Sequence, residues 1–373
     1  MTTDDTCDVL VAGAGPAGSA TAATLARAGM RVVLVDRDRR PALPVGESLP
    51  PVATTILGEL GVADRMRPDH EPSYGTQSAW GDDTLSDTDY IFDPRGPGWR
   101  LDRIRFDRML RESAISSGAL MRRAQVRNVT RDADGGVTVV ATGAGGEQRT
   151  RARFVVDATG RPARIARALG AERRSTDELV AFGATFTATD DAASADRDSR
   201  VLVESVREGW WYTARLPRGQ RLAVFLTDAS CEVARLAATA KGFDALLERT
   251  VHVGARLGSA GVARTSAPAA FRANSAALRS AGGESWIAVG DAATSFDPLS
   301  AQGIYTALYT GVAGAQAILS HAAGEAQALD AYAGRVRSIV DAYRSQLAVF
   351  YAAERRWLTE PFWRARSAGR ASS

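Results

Sequence analysis

The chain has 373 residues, 45% of them hydrophobic, and a formal net charge of +3 at pH 7. This length suits one large domain or two ordinary ones, and the small net charge gives no reason to expect a nucleic-acid partner. Two cysteines, Cys7 and Cys231, cannot form a disulfide framework, and the acidic N-terminus lacks the basic and apolar regions of a signal peptide. We therefore expect a reduced, cytoplasmic protein.

The sequence indicates neither a membrane span nor a metal site. Residues 298–320 carry no charge and are long enough to cross a bilayer, but their Gly, Ala, Thr and Gln content favours a buried helix. The three histidines, His70, His252 and His321, are scattered without the spacing of metal ligands.

Residues 8–36 read as a dinucleotide-binding unit. An apolar run is followed by a glycine-rich turn, an alanine-rich helical stretch and a second apolar run that ends in an acid. The glycines allow a tight turn and a close approach of the backbone to a pyrophosphate, and the acid binds a ribose. This unit alone does not distinguish NAD from FAD. The residues predicted to bind the dinucleotide are Gly13, Ala14, Gly15, Pro16, Ala17, Gly18, Asp36 and Arg37.

Two later segments favour FAD. A short strand from Trp286 leads into Gly290-Asp291, a proline-containing loop and a helix, which resembles the second FAD signature of the flavoprotein hydroxylases. The segment RFVVDATG at 153–160 resembles the strand and turn that cross beneath FAD in the same families. The resemblance implies that the later helix points its N-terminus at the flavin edge that becomes negative on reduction. The FAD contacts it implies are Asp291, Pro298, Gly303 and Ile304.

The rest of the chain indicates an insertion. Helical spacing predicts helices over 100–118 and 329–350, glycines predict a hairpin turn at 143–146, and residues 179–228 predict an antiparallel meander. We predict an α/β fold with an α+β insert: a Rossmann-like FAD-binding domain, an inserted antiparallel-sheet substrate domain and C-terminal helices, as in p-hydroxybenzoate-hydroxylase-like flavoproteins. The predicted bounds are 1–75, 100–175 and 280–325 for the FAD domain, 76–99 and 176–279 for the substrate domain, and 326–373 for the helical segment.

Residues 45–51, VGESLPP, contain two prolines and a glycine, which argue against regular helix or strand. The segment resembles a loop that flavin-dependent halogenases and their relatives place beside the isoalloxazine ring. That resemblance implies that Ser48 binds the polar rim of the flavin, and that Glu47 orients the loop or lies near the reacting centre. A solvent-facing Glu47 is the alternative. Arg103 and the backbone near Val126 are implied as further FAD contacts.

The likeness extends over nearly the whole chain. Segments such as GWRLDRIRFDRML at 98–110 and GDAATSFDPLSAQGI at 290–304 are most similar to flavoproteins that modify tryptophan during cysteine or lysine tryptophylquinone formation, close relatives of tryptophan halogenases. Halogenases relay hypohalous acid through a lysine that follows the Gly-Glu motif. Residues 52–100 contain no lysine, and Lys241 is the only lysine in the chain.

The remaining chemistry that the family implies is oxygenation or oxidation through a flavin C4a-hydroperoxide. The expected substrate is an electron-rich aromatic such as indole or tryptophan, either a small molecule or part of a peptide. Because Asp157-Ala-Thr-Gly replaces the Asp-Gly motif connected with NAD(P)H use, a separate flavin reductase is a possible partner. Two alternatives remain open: a halogenase with a displaced relay residue, and a maturation partner whose FAD is structural. The candidate catalytic residues are Glu47, Pro298 and Gly303. Four tryptophans are expected in segments facing the cavity, with core packing as the alternative role of each: Trp80, Trp99, Trp210 and Trp211.

Overall fold

A computed structural model describes residues 4–37, 43, 45–188 and 198–367. The strands are β1 (Asp4–Ala12), β2 (Val32–Asp36), β3 (Ser48–Leu49), β4 (Glu71–Ser73), β5 (Gly75–Ala79), β6 (Ser86–Asp89), β7 (Gly98–Arg100), β8 (Leu120–Arg131), β9 (Val137–Gly143), β10 (Gly146–Asp157), β11 (Arg173–Ser175), β12 (Leu179–Ala188), β13 (Val201–Val206), β14 (Gly209–Leu216), β15 (Gln220–Asp228), β16 (Val262–Arg264), β17 (Ala269–Arg272), β18 (Ala276–Leu278), β19 (Gly282–Gly283), β20 (Trp286–Ala288) and β21 (Thr294–Ser295). The α-helices are α1 (Pro16–Arg27), α2 (Ala53–Glu59), α3 (Arg103–Ser116), α4 (Arg164–Ala168), α5 (Val233–Ala237), α6 (Ala240–Leu247), α7 (His252–Ser259), α8 (Gly303–Ala322), α9 (Ala328–Ala353) and α10 (Pro361–Ser367).

Four strands of the first sheet end at one edge. β1 pairs in parallel with β2 and β10, and β10 pairs in parallel with β20. In this register Ala12 lies beside Asp157, and Asp157 lies beside Ala288. The glycine-rich turn, Asp36, the turn after Asp157, and Gly290-Asp291 therefore meet at the carboxyl ends of parallel strands. That edge is where α/β proteins bind nucleotides.

The same sheet closes on itself. β8 pairs in parallel with β2 and then antiparallel with β9, and β9 pairs with the first part of β10. The ring encloses a cluster of buried apolar side chains that includes Leu10, Val33, Val139 and Val155. The hairpin predicted at 143–146 is confirmed, because β9 and β10 meet in antiparallel register at that turn.

Small residues let two helices approach each other beside this sheet. A Cβ on Gly311 of α8 would lie 2.5 Å from the carbonyl oxygen of Ala17 in α1. The hydroxyl of Thr21 donates to the Gly311 carbonyl oxygen at 3.0 Å. The alanine-rich sequence of α1 is thus explained by close helix packing, which fixes the start of α8 relative to the glycine-rich turn.

A second sheet of eight strands has the order β16-β12-β15-β14-β13-β5-β6, with β17 beside β12. Side chains along β14 alternate between its faces. Trp210 and Tyr212 belong to an apolar cluster with Leu43 and Tyr351, whereas Trp211 belongs to a different cluster with Phe243 of α6. We call the first the inner face and the second the outer face.

Most of the architecture predicted from the sequence is confirmed. The α/β class is confirmed, with a Rossmann-like unit and a largely antiparallel second sheet. The amphipathic helix predicted over 329–350 is α9, whose buried residues include Leu329, Val336 and Tyr343 at helical spacing. The domain boundaries stay predictions, and residues 368–373 of the last one lie outside the described part of the chain. Within that part, no helix has the length and apolar character needed to span a bilayer.

Two local predictions differ from the structure. The helix predicted over 100–118 begins at Arg103, because the side chain of Asp102 caps it by accepting a hydrogen bond from the Arg105 amide at 3.1 Å. Residues 45–51 were expected to avoid regular structure, yet they contain the two-residue strand β3. Ser48 in that strand pairs with Arg100 of β7.

Candidate functional site

The glycine-rich turn leaves a cradle at the start of α1. A Cβ on Gly13, which has φ +109°, would overlap the carbonyl oxygen of Ala158, and a Cβ on Gly18 would overlap the carbonyl oxygen of Gly13. A Cβ on Gly15 would instead meet nothing within 4 Å. No side chain caps the helix at Gly15, so the first amides of α1 face open space and suit a phosphate.

The predicted adenosine contacts lie at the same edge of the sheet. Asp36 ends β2, and its Oδ2 accepts a hydrogen bond from the Ala14 amide at 2.6 Å. Arg37 is exposed beside it. Val126 lies on β8, next to β2 in the sheet, where the register with β9 shifts between Val126 and Asn128. The structure thus brings the carboxylate to the glycine-rich turn, and direct contact of Asp36, Arg37 and Val126 with a cofactor stays a prediction.

Two acids at this edge have different surroundings. Asp157 is buried, and both of its carboxylate oxygens are used: Oδ1 accepts from the Thr159 amide at 2.9 Å and Oδ2 from the Ala166 amide at 2.8 Å. Asp291 is 40% exposed, with Oδ2 3.6 Å from Nε of Arg161. Asp157 therefore shapes its own turn, whereas Asp291 keeps capacity to bind the hydroxyls of a ligand.

The start of α8 is open, as the start of α1 is. A Cβ on Gly303 would meet nothing within 4 Å, and the preceding residue, Gln302, makes no side-chain capping bond to the helix. The short 3-10 turn Pro298–Ser300 leads into this helix. Free amides at the N-terminus of a 20-residue helix favour a group that becomes negative.

The VGESLPP loop is held against the start of α8 by Arg103. Nη1 of Arg103 donates to the carbonyl oxygens of Val45 at 2.7 Å and Gly46 at 3.3 Å. A Cβ on Gly46, which has φ +81°, would overlap that guanidinium and lie 3.6 Å from Cδ1 of Ile304. Arg103 therefore orders the loop, and its predicted direct contact with FAD stays a prediction.

Ser48 and Glu47 point into the protein. Nη1 of the buried Arg100 donates to Oγ of Ser48 at 2.6 Å. Glu47 is only 3% exposed, so the alternative that it faces solvent is wrong. Its Oε2 is buried and has no hydrogen-bond partner among the described residues. Burial raises the pKa of the Glu47 carboxyl, opposed by neighbouring backbone amides and the charges of Arg100 and Arg103.

A buried carboxyl with a raised pKa makes stability depend on pH in a defined direction. Glu47 contributes to stability fully below its unfolded pKa, and that contribution is lost as pH rises through the higher folded pKa. We expect Glu47→Gln to raise the free energy of unfolding more at pH 8 than at pH 4, by roughly 1–3 kcal/mol, because glutamine carries no charge that burial must desolvate. Urea unfolding at both pH values measures this. Glu147→Gln, at an exposed carboxyl on β10, is the control.

The inner face of β14 brings aromatic residues towards this loop. Tyr212 is buried. Burial is the main cause of its raised pKa, and the nearby Glu47 charge adds to the effect. The ring centroids of Trp80 and Trp210 lie 6.3 Å apart. Trp99 lies on β7 and packs against the core of the first sheet. Strand alternation turns Trp211 to the outer face, where it packs against Phe243, so the structure supports the core-packing alternative for this residue.

Sequence reasoning missed Asp297 and two tyrosines of α9. Asp297 is 1% exposed and precedes Pro298 directly. Its Oδ2 accepts a hydrogen bond from the hydroxyl of Tyr351 at 2.6 Å, and its amide donates to the hydroxyl of Tyr343 at 2.8 Å. An Asp-Pro pair is a common start of a helical turn, but the sequence carries no signal for partners about 50 residues away. In the described part of the chain, no cluster of His, Cys, Asp and Glu could hold a metal ion.

The residues fit FAD. A Gly15 cradle with free helix amides suits a pyrophosphate, Asp36 lies where a ribose would be bound, and a second free helix N-terminus suits the flavin ring. A site for a single nucleotide would need only the helix start at Gly15. The second open helix start, at Gly303, therefore favours FAD.

Comparison with known proteins agrees with this. A family model described as an FAD binding domain matches residues 6–345. LodB of Marinomonas mediterranea, named as an FAD-dependent oxidoreductase, is 29% identical over 369 residues, which cover 97% of each chain. The myxobacterial chondrochloren halogenase CndH superposes with a TM-score of 0.86 at 26% identity, covering 97% of this chain and 86% of CndH. The peptidyl tryptophan dihydroxylase QhpG, of tryptophylquinone cofactor biogenesis, gives 0.73 at 26% identity, covering 96% and 78%.

The family model covers most of the chain, LodB is named as an FAD-dependent oxidoreductase, and both solved structures share the fold of this chain. The chain therefore belongs to the FAD binding domain family, within the FAD-dependent monooxygenase and halogenase superfamily, and is an FAD-dependent oxidoreductase.

Proposed function

We propose that the protein oxygenates an electron-rich aromatic ring, an indole or tryptophan-like group that is free or part of a peptide. The likeness to the peptidyl tryptophan dihydroxylase QhpG supports tryptophan chemistry. Bound FAD, once reduced, supplies the activation of O2, and the protein supplies binding, orientation and exclusion of water.

The position of Lys241 favours oxygenation over halogenation. Lys241 is the only lysine in the chain and is exposed at the start of α6. Phe243 of α6 packs on Trp211, with ring centroids 5.0 Å apart, on the outer face of the second sheet. The VGESLPP loop and Tyr212 belong to the opposite, inner side. The proposed site therefore has no lysine that could relay hypohalous acid.

Side chains around the VGESLPP loop have distinct proposed roles. Pro298 and the start of α8 bound the space beside the flavin ring, and Arg103 fixes the loop on the other side. Glu47, whose carboxyl is buried behind the loop, would orient the loop and not touch the substrate. The aromatic inner face of β14 belongs to the apolar cluster against which Val45 of the loop packs, and would support the loop.

Product mass under isotopically labelled O2 tests this proposal. Purified protein, a flavin reductase and NADH are incubated with free tryptophan, indole or a tryptophan-containing peptide, with and without bromide and chloride. We expect label in an oxidised product, no halogen and no halide requirement. A parallel arm without the reductase should give little product, because we also propose that a separate reductase supplies the electrons. Unlabelled, unoxidised substrate in every arm would contradict the proposal.

Halogenation is the second candidate, favoured by the TM-score of 0.86 with CndH. It requires a relay residue other than lysine. Its signature in the same experiment is a product whose mass contains bromine or chlorine only when that halide is present. That result would replace oxygenation as the function.

A further inference from the structure

Asp297 fixes the turn that leads into α8. Its Oδ1 accepts a hydrogen bond from the Leu299 amide at 2.9 Å, and its carbonyl oxygen accepts from the hydroxyl of Ser300 at 2.9 Å. The turn Pro298–Ser300 and the following Gly303 are the segment proposed above to lie beside the flavin ring. One carboxylate oxygen of Asp297 is therefore committed to the shape of that segment.

The other carboxylate oxygen is bound by the C-terminal part of the chain. The hydroxyl of Tyr351, in the last turn of α9, donates to Oδ2 of Asp297 at 2.6 Å. Nε1 of Trp210 donates to the same hydroxyl at 3.2 Å. An indole N–H can only donate, so the hydroxyl oxygen accepts there and its own proton is left for Asp297. The orientation of the Tyr351 hydroxyl is thus fixed from the second sheet.

A second tyrosine of α9 holds the same segment two turns earlier. The amide of Asp297 donates to the hydroxyl of Tyr343 at 2.8 Å, and this hydroxyl also shares a hydrogen bond with Ser275 at 2.7 Å. The ring of Phe296 stacks on the Tyr343 ring with centroids 4.1 Å apart. Both tyrosines are buried. Three separate contacts from one helix therefore converge on residues 296 and 297.

Charged and titratable groups surround Asp297 and Tyr351. Arg366 of α10 lies 4.9 Å from the centre of the Tyr351 ring and pairs with both carboxylate oxygens of Asp228 at 2.8 Å. Burial raises the pKa of Asp297 to about 6; the hydrogen bonds from Tyr351 and the Leu299 amide, and the charge of Arg366, oppose this, and Asp177 adds to it. Burial likewise raises the pKa of the Tyr343 and Tyr351 hydroxyls.

We propose that Asp297 and Tyr351 form a positioning pair, through which α9 and α10 hold the Pro298–Gly303 segment in the geometry that turnover requires. Neither residue needs to touch the substrate. The inference rests on the proposed function, because it assumes that this segment lies beside the flavin where the substrate is oxidised. It assigns a catalytic consequence to the C-terminal helices.

Tyr351→Phe tests the pair, with Tyr332→Phe as the matched control. Tyr332 is a buried tyrosine of the same helix whose hydroxyl donates to the Ala288 carbonyl oxygen at 2.7 Å. For Tyr351→Phe we expect FAD affinity within about threefold of the wild-type value, kcat reduced about tenfold or more with little change in KM, and a changed visible spectrum of bound FAD. Tyr332→Phe should leave kcat and the spectrum unchanged.

The pH dependence of the bound-FAD spectrum gives a readout that does not need turnover. Loss of the Tyr351 hydrogen bond removes an interaction that favours the Asp297 carboxylate, so the spectral midpoint should move to higher pH than in the wild type. Asp297→Asn keeps an acceptor for the Leu299 amide but removes the titration, so the transition near pH 6 should disappear. If Tyr351→Phe does not fold, Asp297→Asn still tests the proposal.

Equal kcat, spectrum and pH midpoint in Tyr351→Phe and Tyr332→Phe would overturn the inference. So would an unchanged spectral transition in Asp297→Asn. Failure of the proposed function is a separate result: no substrate is oxidised by the wild type, while the spectral and pH differences among the variants still support or overturn the positioning pair.

Discussion

Gly15→Leu should give a folded protein that has lost FAD. Gly15 has φ −76° and ψ −174°, an extended conformation that leucine adopts without strain, and its Cβ would meet no atom within 4 Å. The added side chain would instead occupy the space in front of the first amides of α1, where a pyrophosphate must approach closely. We expect the affinity for FAD to fall at least about 100-fold, which corresponds to about 2.7 kcal/mol.

The measurement is the flavin absorbance of the purified protein together with FAD titration of the apoprotein. Thermal unfolding of the apo forms shows whether the fold is kept. Gly258→Leu is the matched control, because Gly258 lies in α7 and its Cβ also meets nothing within 4 Å. A folded Gly15→Leu protein with the wild-type content of FAD would remove the assignment of this turn to the pyrophosphate.

The FAD unit could be predicted because its determinants are local and lie in the backbone. Gly13 and Gly18 are required by overlaps with the carbonyl oxygens of Ala158 and Gly13, and such requirements leave glycines at fixed spacing. Asp36 could be predicted because it ends the apolar run that forms β2. Parallel strands then bring the later segments to the same edge without further information.

Features that depend on distant pairing could not be predicted. The burial of Glu47 results from β3 pairing with β7, about 50 residues later, and from the second sheet beyond it. The partners of Asp297 lie on α9, and helical periodicity shows which tyrosines are buried but not what they bind. The side of the sheet on which Trp211 lies depends on the phase of an almost entirely buried strand, where consecutive aromatic residues give no polar alternation.

Gly303→Leu should have the opposite effect to Gly15→Leu: FAD is kept and turnover is lost. Gly303 begins α8, its Cβ would meet no atom within 4 Å, and a leucine there suits a helix. The added side chain would enter the space in front of the helix start, where we propose that the reacting side of the flavin and the substrate lie. The pyrophosphate cradle, near Gly15, would be untouched. We expect FAD affinity within about threefold of the wild-type value and at least about 100-fold slower product formation, since a misplacement of about 1 Å can cost that much.

Titration with FAD and product formation under labelled O2 measure the two quantities on the same preparation. Gly334→Leu, on α9 and with equally open space at its Cβ, controls for added bulk on a helix. The pair of variants separates the two ends of the site, because Gly15→Leu should abolish binding while Gly303→Leu abolishes turnover alone. Parallel loss of FAD and of activity in Gly303→Leu would show that FAD binding itself needs the space in front of this helix start, and the proposed reacting space would then have to lie elsewhere along the VGESLPP loop.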